Sequence, residues 1–135
     1  MTRMKILFAF VCLFGFSALA LGEDAKPIKV APADAKSHVG DLAVVCGLVV
    51  DSAVPKYGLA GHGKPVSFYL DQPGPNAVFY FSAFGKAPDG PKLLIDAYKN
   101  KRVCVTGKID MMPANGLPFI MATDRDQIKT EAAGK

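Results

Sequence analysis

Two cysteines in very similar surroundings are the residues of this sequence best suited to chemistry. Cys46 lies in LAVVCGLVV and Cys104 in NKRVCVTGKI, and β-branched residues dominate both stretches. A cysteine acts as a nucleophile or a metal ligand through its thiolate, which needs a base or a cation nearby. The two histidines, His38 and His62, are not adjacent to either cysteine in sequence. Neither cysteine lies in a C-x-x-C motif, so we expect neither a redox-active dithiol nor a zinc ribbon.

Catalytic motifs are absent from the sequence. It contains no G-x-S-x-G, no H-E-x-x-H, no Walker loop and no G-x-G-x-x-G. The glycine-rich GLAGHG at 58–63 lies between two predicted strands, and a phosphate cradle would need a helix to follow it. We therefore predict a protein that is not an enzyme and has no cofactor.

Two tyrosines with neighbouring lysines form a candidate ligand face. Tyr69 and Tyr80 lie on two predicted strands, and Lys64 and Lys86 flank them. Proteins that bind single-stranded nucleic acid stack bases on aromatic rings in a basic groove. The pattern predicts a face for single-stranded nucleic acid or an oligosaccharide. The alternative is that one or both tyrosines belong to the apolar core or its rim, because phenylalanines occupy the opposite face of the second strand.

Three methionines suggest a further alternative. Met111, Met112 and Met121 lie near the turn between the last two predicted strands. Thioethers are soft ligands that suit Cu(I), so Met and His side chains could handle copper. Methionine also fills irregular gaps in protein cores. We therefore assign no metal ligand from the sequence.

The first residues, MTRMKILFAFVCLFGFSALALG, have the pattern of a secretory signal peptide. Arg3 and Lys5 precede an apolar run that ends in small residues. The run is shorter than the ~20 residues of a membrane-spanning helix. We expect a signal peptide over 1–22, export to the periplasm or secretion, and no stable membrane span after cleavage. Cys12 would be removed, which leaves two cysteines in the exported protein.

The charge pattern argues against a dedicated nucleic-acid binder. The chain of 135 residues has 16 basic and 12 acidic residues and a formal net charge of +4. Removal of Arg3 and Lys5 leaves 14 basic residues against 12 acidic ones. The lysines are scattered among aspartates, whereas a nucleic-acid binder usually has a clustered basic stripe.

The predicted elements form one small domain. Alternating apolar residues and turn residues predict a lead-in turn, three strands, a helix and two strands, at 33–38, 42–54, 66–71, 77–84, 92–100, 102–112 and 117–124. Gly47 within the first strand indicates a bulge or a bend. This order predicts an all-β fold with one helix, a five-stranded OB-fold Greek-key barrel whose helix lies between strands 3 and 4 and plugs one end. We place the domain at 23–128, followed by a polar disordered tail at 129–135.

Four stretches resemble the small exported OB-fold proteins of bacteria. They are SHVGDLAVVCGLVV, KPVSFYLD, AYKNKRVCVTGKID and NGLPFIMATDRDQI, and the resemblance covers about residues 28–128. These proteins are similar in fold to nucleic-acid-binding OB domains, so the resemblance implies a ligand face on strands 2 and 3. It implies no catalytic residues.

The resemblance also implies how the cysteines pair. In an OB barrel the first and fourth strands are antiparallel neighbours, which places Cys46 against Cys104. Because export leads to an oxidising compartment, we expect a disulfide between them. The alternative is two small buried thiols.

Taken together, these patterns predict an exported, non-catalytic binding module whose ligand they do not name. Single-stranded nucleic acid or an oligosaccharide, bound on strands 2 and 3, is the first alternative. A domain that binds an envelope protein, or one that handles copper, is the other.

Overall fold

The computed structural model describes residues 26–55, 64–85 and 90–131. These ranges contain eight strands: β1 (Ile28–Val30), β2 (Leu42–Ala53), β3 (Pro65–Leu70), β4 (Tyr80–Phe84), β5 (Arg102–Lys108), β6 (Asp110–Met111), β7 (Pro118–Ala122) and β8 (Ile128–Thr130). They also contain one α-helix, α1 (Gly90–Tyr98), and two 3-10 segments, Pro32–His38 and Arg125–Gln127. The predicted signal peptide lies outside the described residues.

The strands form one curled, mixed sheet that is consistent with an OB-like barrel. Its strand order is β6-β7-β4-β3-β2-β5-β8, and β1 pairs with β2 in parallel. β4 and β7 are also parallel, whereas the other pairs are antiparallel. The five predicted strands correspond to β2, β3, β4, β5 and β7, and α1 lies between β4 and β5 as expected.

The predicted number of strands was wrong, because the described chain has eight strands and not five. The additional strands, β1, β6 and β8, have two or three residues each. An alternating pattern needs at least four residues to be recognised in a sequence. Pairing with longer neighbours, rather than local propensity, makes these segments strands.

The polar tail was also placed too early in the chain. Residues 128–130 pair with β5, where Lys129 lies opposite Cys104 and Thr130 opposite Val103. The backbone N–H of Glu131 then donates to the carbonyl of Arg102 at 2.9 Å. The described chain is therefore ordered to Glu131, and 132–135 lies outside the described residues.

Alternation along the strands builds the core. Val45, Val103 and Val105 are fully buried and point inward from the central pair β2 and β5. Tyr98 of α1 packs its ring edge-on against Phe68 and Phe81, at centroid distances of 5.5 and 6.2 Å. The helix thus covers one end of the curled sheet, as the sequence predicts.

Gly47 lies at a close approach between β2 and its neighbours, and the bulge in β2 lies elsewhere. A Cβ at this position would lie 2.9 Å from Oδ1 of Asp71 and 3.1 Å from Cγ of Pro32. The register shift in β2 lies further along, between Val49 and Asp51. A glycine in a strand marks either feature, so the sequence alone does not distinguish them.

β5 and β7 approach each other without pairing as strands. A Cβ at Gly107 would lie 2.6 Å from Cγ2 of Ile120, so only glycine fits there. The side chain of Gln127 joins the two strands: its Nε2 donates to the carbonyl of Thr106 at 3.0 Å. Its Oε1 accepts from the backbone N–H groups of Thr123 and Asp124, each at 3.0 Å.

Candidate functional site

Three aromatic residues form a continuous row on the outer face of the sheet. Tyr69 of β3 pairs with Tyr80 of β4, and Tyr80 pairs with Phe119 of β7. The ring centroids of Tyr69 and Tyr80 are 5.6 Å apart, and those of Tyr80 and Phe119 are 5.2 Å apart with nearly parallel planes. Such spacings are typical of stabilising contacts between aromatic rings. We call these three residues the aromatic row.

An aspartate lies at each end of the aromatic row. Asp51 of β2 is the register partner of Tyr69, and Asp110 of β6 is the partner of Phe119. The five residues therefore follow one another across five adjacent strands, a span of about 19 Å at ~4.8 Å per strand. Within the described ranges, the carboxylate of Asp110 has no hydrogen-bond or ion-pair partner. The row is thus bounded by negative charge.

Tyr80, the centre of the row, is buried. Tyr80 is 5% exposed, whereas Tyr69 and Phe119 are half-buried. Burial, and secondly the nearby phenol of Tyr69, raise the pKa of Tyr80 above its ordinary value. Of the two interpretations of the tyrosines, a place at the rim of the core applies to Tyr80. Tyr69 and Phe119 are the rings that a ligand can reach.

Of the two lysines predicted to flank the tyrosines, Lys64 lies within the described residues. Lys64 is exposed just before Pro65, which pairs with Phe84. It lies five residues along the chain from Tyr69, roughly 16 Å at strand spacing. Lys86 lies outside the described residues. The charges that adjoin the row in the sheet register are therefore carboxylates, which sequence reasoning missed because they follow from the pairing of distant strands.

The predicted disulfide between Cys46 and Cys104 is present. The two residues are direct partners in the β2–β5 register, and their Cα atoms are 4.0 Å apart. Their buried neighbours Val45 and Val105 point into the core, so the half-buried sulfurs lie on the outer face.

A carboxylate adjoins the disulfide. Oε1 of Glu131 lies 3.1 Å from Sγ of Cys104, and its Oε2 accepts from Nε of Arg102 at 3.0 Å. The two sulfurs and one carboxylate oxygen lie within 4.8 Å of one another. Sequence reasoning predicted the cysteine pair but missed Glu131, because this residue fell in the predicted polar tail.

A groove of about 270 Å³ opens where the C-terminal end of α1 meets β2. The residues that line it include the apolar Val49, Phe68 and Ile95 and the polar Asp51 and Lys99. Asp51 therefore belongs both to this groove and to the end of the aromatic row.

The residues considered for copper are placed as follows. His38 forms an exposed contact with Asp41, with 3.1 Å between Nδ1 and Oδ2. Met111 is exposed on β6, and Met121 lies on β7 opposite Ser82. His62 lies outside the described residues. Copper handling stays a prediction.

Comparisons with known proteins do not identify a family. No family model matches the chain, and no curated protein matches it. One solved structure, assigned as an aspartyl-tRNA synthetase from Leishmania major Friedlin, matches with 14% identity and a TM-score of 0.46. The match covers 78% of this chain and 21% of that protein, so the chain spans about a fifth of its length. A similarity of this size transfers neither fold nor function.

In the described parts of the chain, no helix has the length and apolar character that a membrane span requires.

Proposed function

We propose that the protein is an exported, non-catalytic binding module that holds its ligand on the outer face of β3, β4 and β7. The observation that carries this proposal is the aromatic row, in which three adjacent strands contribute one ring each. Tyr69 and Phe119 are the contact rings. Tyr80 supports them from between, because its own ring is stacked against Phe119.

Two observations support export. The first 22 residues have the composition of a signal peptide. The Cys46–Cys104 disulfide is compatible with an oxidising compartment, where such bonds form and persist.

The charges around the aromatic row favour an oligosaccharide over nucleic acid. A phosphate backbone laid across the row would meet the carboxylates of Asp51 and Asp110 at its two ends, and like charges repel. A neutral sugar can place its C–H faces on the rings, while its hydroxyl groups donate to the carboxylates. OB folds are known to accept both kinds of ligand.

A binding experiment can test both the face and the ligand class. Neutral oligosaccharides and a single-stranded oligonucleotide would be titrated into the protein at low and high salt, with NMR shifts as the readout. We expect a neutral oligosaccharide to bind with little dependence on salt. Salt-sensitive binding of the oligonucleotide at the same residues would support the proposed binding face but overturn the proposed ligand class.

Substitutions locate the face. Tyr69→Ala and Phe119→Ala should each weaken binding about 5- to 150-fold, by analogy with the ~1 to 3 kcal/mol of a stacked base. Leu93→Ala is the matched control, because Leu93 is 59% exposed on α1 and is not part of the row. Binding that survives both row substitutions, or a wild-type protein that binds none of the ligands, would refute the proposal.

A further inference from the structure

The cysteine pair and Glu131 form a group whose chemistry the binding proposal does not use. Three potential ligand atoms, Sγ of Cys46, Sγ of Cys104 and a carboxylate oxygen of Glu131, lie within 4.8 Å of one another. They come from three neighbouring strands or their ends, β2, β5 and the residue after β8. The sheet register therefore brings them together, whether or not the sulfurs are bonded.

We propose that the disulfide masks a Cys₂Glu site for a thiophilic divalent metal of the zinc class, and that this site forms when the bond is reduced. An external phosphine supplies the two electrons and becomes a phosphine oxide, while water supplies the oxygen of that oxide and the two protons that complete the two thiols. The metal then displaces both thiol protons and binds two thiolates and one carboxylate oxygen. A water molecule completes the fourth position.

The distances fit such a site. Zinc binds thiolate sulfur at ~2.3 Å and carboxylate oxygen at ~2.0 to 2.2 Å, in tetrahedral geometry. That geometry places the two sulfurs about 3.8 Å apart and each sulfur about 3.6 Å from the oxygen. Glu131 Oε1 already lies 3.1 Å from Sγ of Cys104, so a separation of the two sulfurs is the main movement required.

Position in the sheet also favours the site. In antiparallel strands, partners that do not exchange backbone hydrogen bonds have the closest side chains. Val49 N–H donates to the carbonyl of Lys101, which places Cys46 and Cys104 at such a position three residues away. Both side chains are half-buried on the outer face, so a metal ion can reach them.

The neighbouring charges orient the carboxylate. Arg102 holds Oε2 of Glu131 and leaves Oε1 directed at Cys104. Lys129 lies opposite Cys104 in the register and adds a second positive charge. Two thiolates and one carboxylate carry three negative charges, which exceed these two positive ones and favour a divalent cation.

The experiment uses the full protein, reduced with a phosphine under argon and titrated with Co²⁺ as a probe for zinc. We expect one equivalent of Co²⁺ to produce a thiolate-to-metal charge-transfer band and the visible bands of tetrahedral cobalt. The oxidised protein should show neither. Reduced wild type without a charge-transfer band would overturn the proposal.

Two substitutions assign the ligands. Cys46→Ser should abolish the charge-transfer band at one equivalent, and reduced wild type is its control because both proteins lack the disulfide. Glu131→Gln should raise the Kd at least tenfold, and an unchanged Kd would refute the proposed carboxylate ligand. If reduction unfolds the chain, one equivalent of Zn²⁺ should restore the far-UV circular dichroism of the oxidised protein. Failure to restore it would overturn the site as well.

Discussion

The side-chain amide of Gln127 donates a hydrogen bond to the backbone carbonyl of Thr106 and so joins two strands that do not pair. The same side chain accepts from the backbone of Thr123 and Asp124 at the end of β7. One residue therefore satisfies backbone groups on both sides of the gap between β5 and β7.

Removal of this amide should destabilise the protein. Gln127→Ala leaves three backbone groups without their partner, and we expect the free energy of unfolding to fall by about 1 to 3 kcal/mol. Urea unfolding followed by circular dichroism measures this loss. Lys129→Ala is a suitable control, because Lys129 is exposed and forms no side-chain hydrogen bond among the described residues. Equal urea midpoints of unfolding for Gln127→Ala and Lys129→Ala would contradict the role given to Gln127.

Gly107→Ala should also destabilise the protein, because it adds a methyl group where β5 approaches β7. The new methyl group would lie 2.6 Å from Cγ2 of Ile120, and overpacking of this kind costs about 1 to 3 kcal/mol. Gly74→Ala is the matched control, because a Cβ there meets no atom within 4 Å. The double variant Gly107→Ala/Ile120→Ala lacks Cγ2 of residue 120. Its loss of unfolding free energy should therefore be smaller than the sum of the losses in the two single variants. Strict additivity in thermal or urea unfolding would show that the two side chains do not clash.

The disulfide should contribute a large share of the stability. It closes a loop between residues 58 positions apart, for which the chain-entropy model gives about 4 kcal/mol as an upper value. Cys46→Ala and Cys104→Ala should each lower the melting temperature nearly as much as the double substitution, because either change removes the same bond. Thiol labelling of the denatured, non-reduced exported protein should find no free cysteine. Two free thiols would mean that the bond does not form in the cell.

Stability should fall in alkali through Tyr80. Its pKa is raised above the ordinary value of 10.0, so the folded protein retains a proton that the unfolded chain releases. The contribution is complete below pH 10 and is lost as the pH rises through the folded-state pKa. Tyr80→Phe removes this titration and leaves the rest of the chain unchanged. The difference in unfolding free energy between the two proteins should therefore begin to change as the pH rises through about 10, and a constant difference would exclude the effect.

The core strands were predictable, whereas the features around the candidate sites were not. Val103 and Val105 alternate with Cys104, and this local pattern correctly predicted a strand. Asp51 and Asp110 have no local signal, since they reach the aromatic row only through pairing between strands distant in sequence.

The strand at the C-terminal end was also not predictable from a local sequence pattern. Ile128–Thr130 is too short and too polar to indicate a strand, and it becomes one because β5 presents a free edge. Glu131 was missed for that reason. The place of the two aspartates and the formation of β8 both depend on pairing between strands that are distant in sequence. An alternating pattern along one strand carries no information about such pairing.

The disulfide has a consequence for proteolysis. Cys46 and Cys104 enclose β3, β4 and α1 in one covalent loop. A single peptide-bond cut anywhere between them leaves one molecule, and both fragments migrate together until a reductant is added. A cut between Cys104 and β7 instead leaves no covalent link to the residues that follow the cut, including β7, whose Phe119 completes the aromatic row. A protease could therefore nick the first segment without separating its halves, whereas a nick between Cys104 and β7 would leave the end of the proposed binding face held by non-covalent contacts alone.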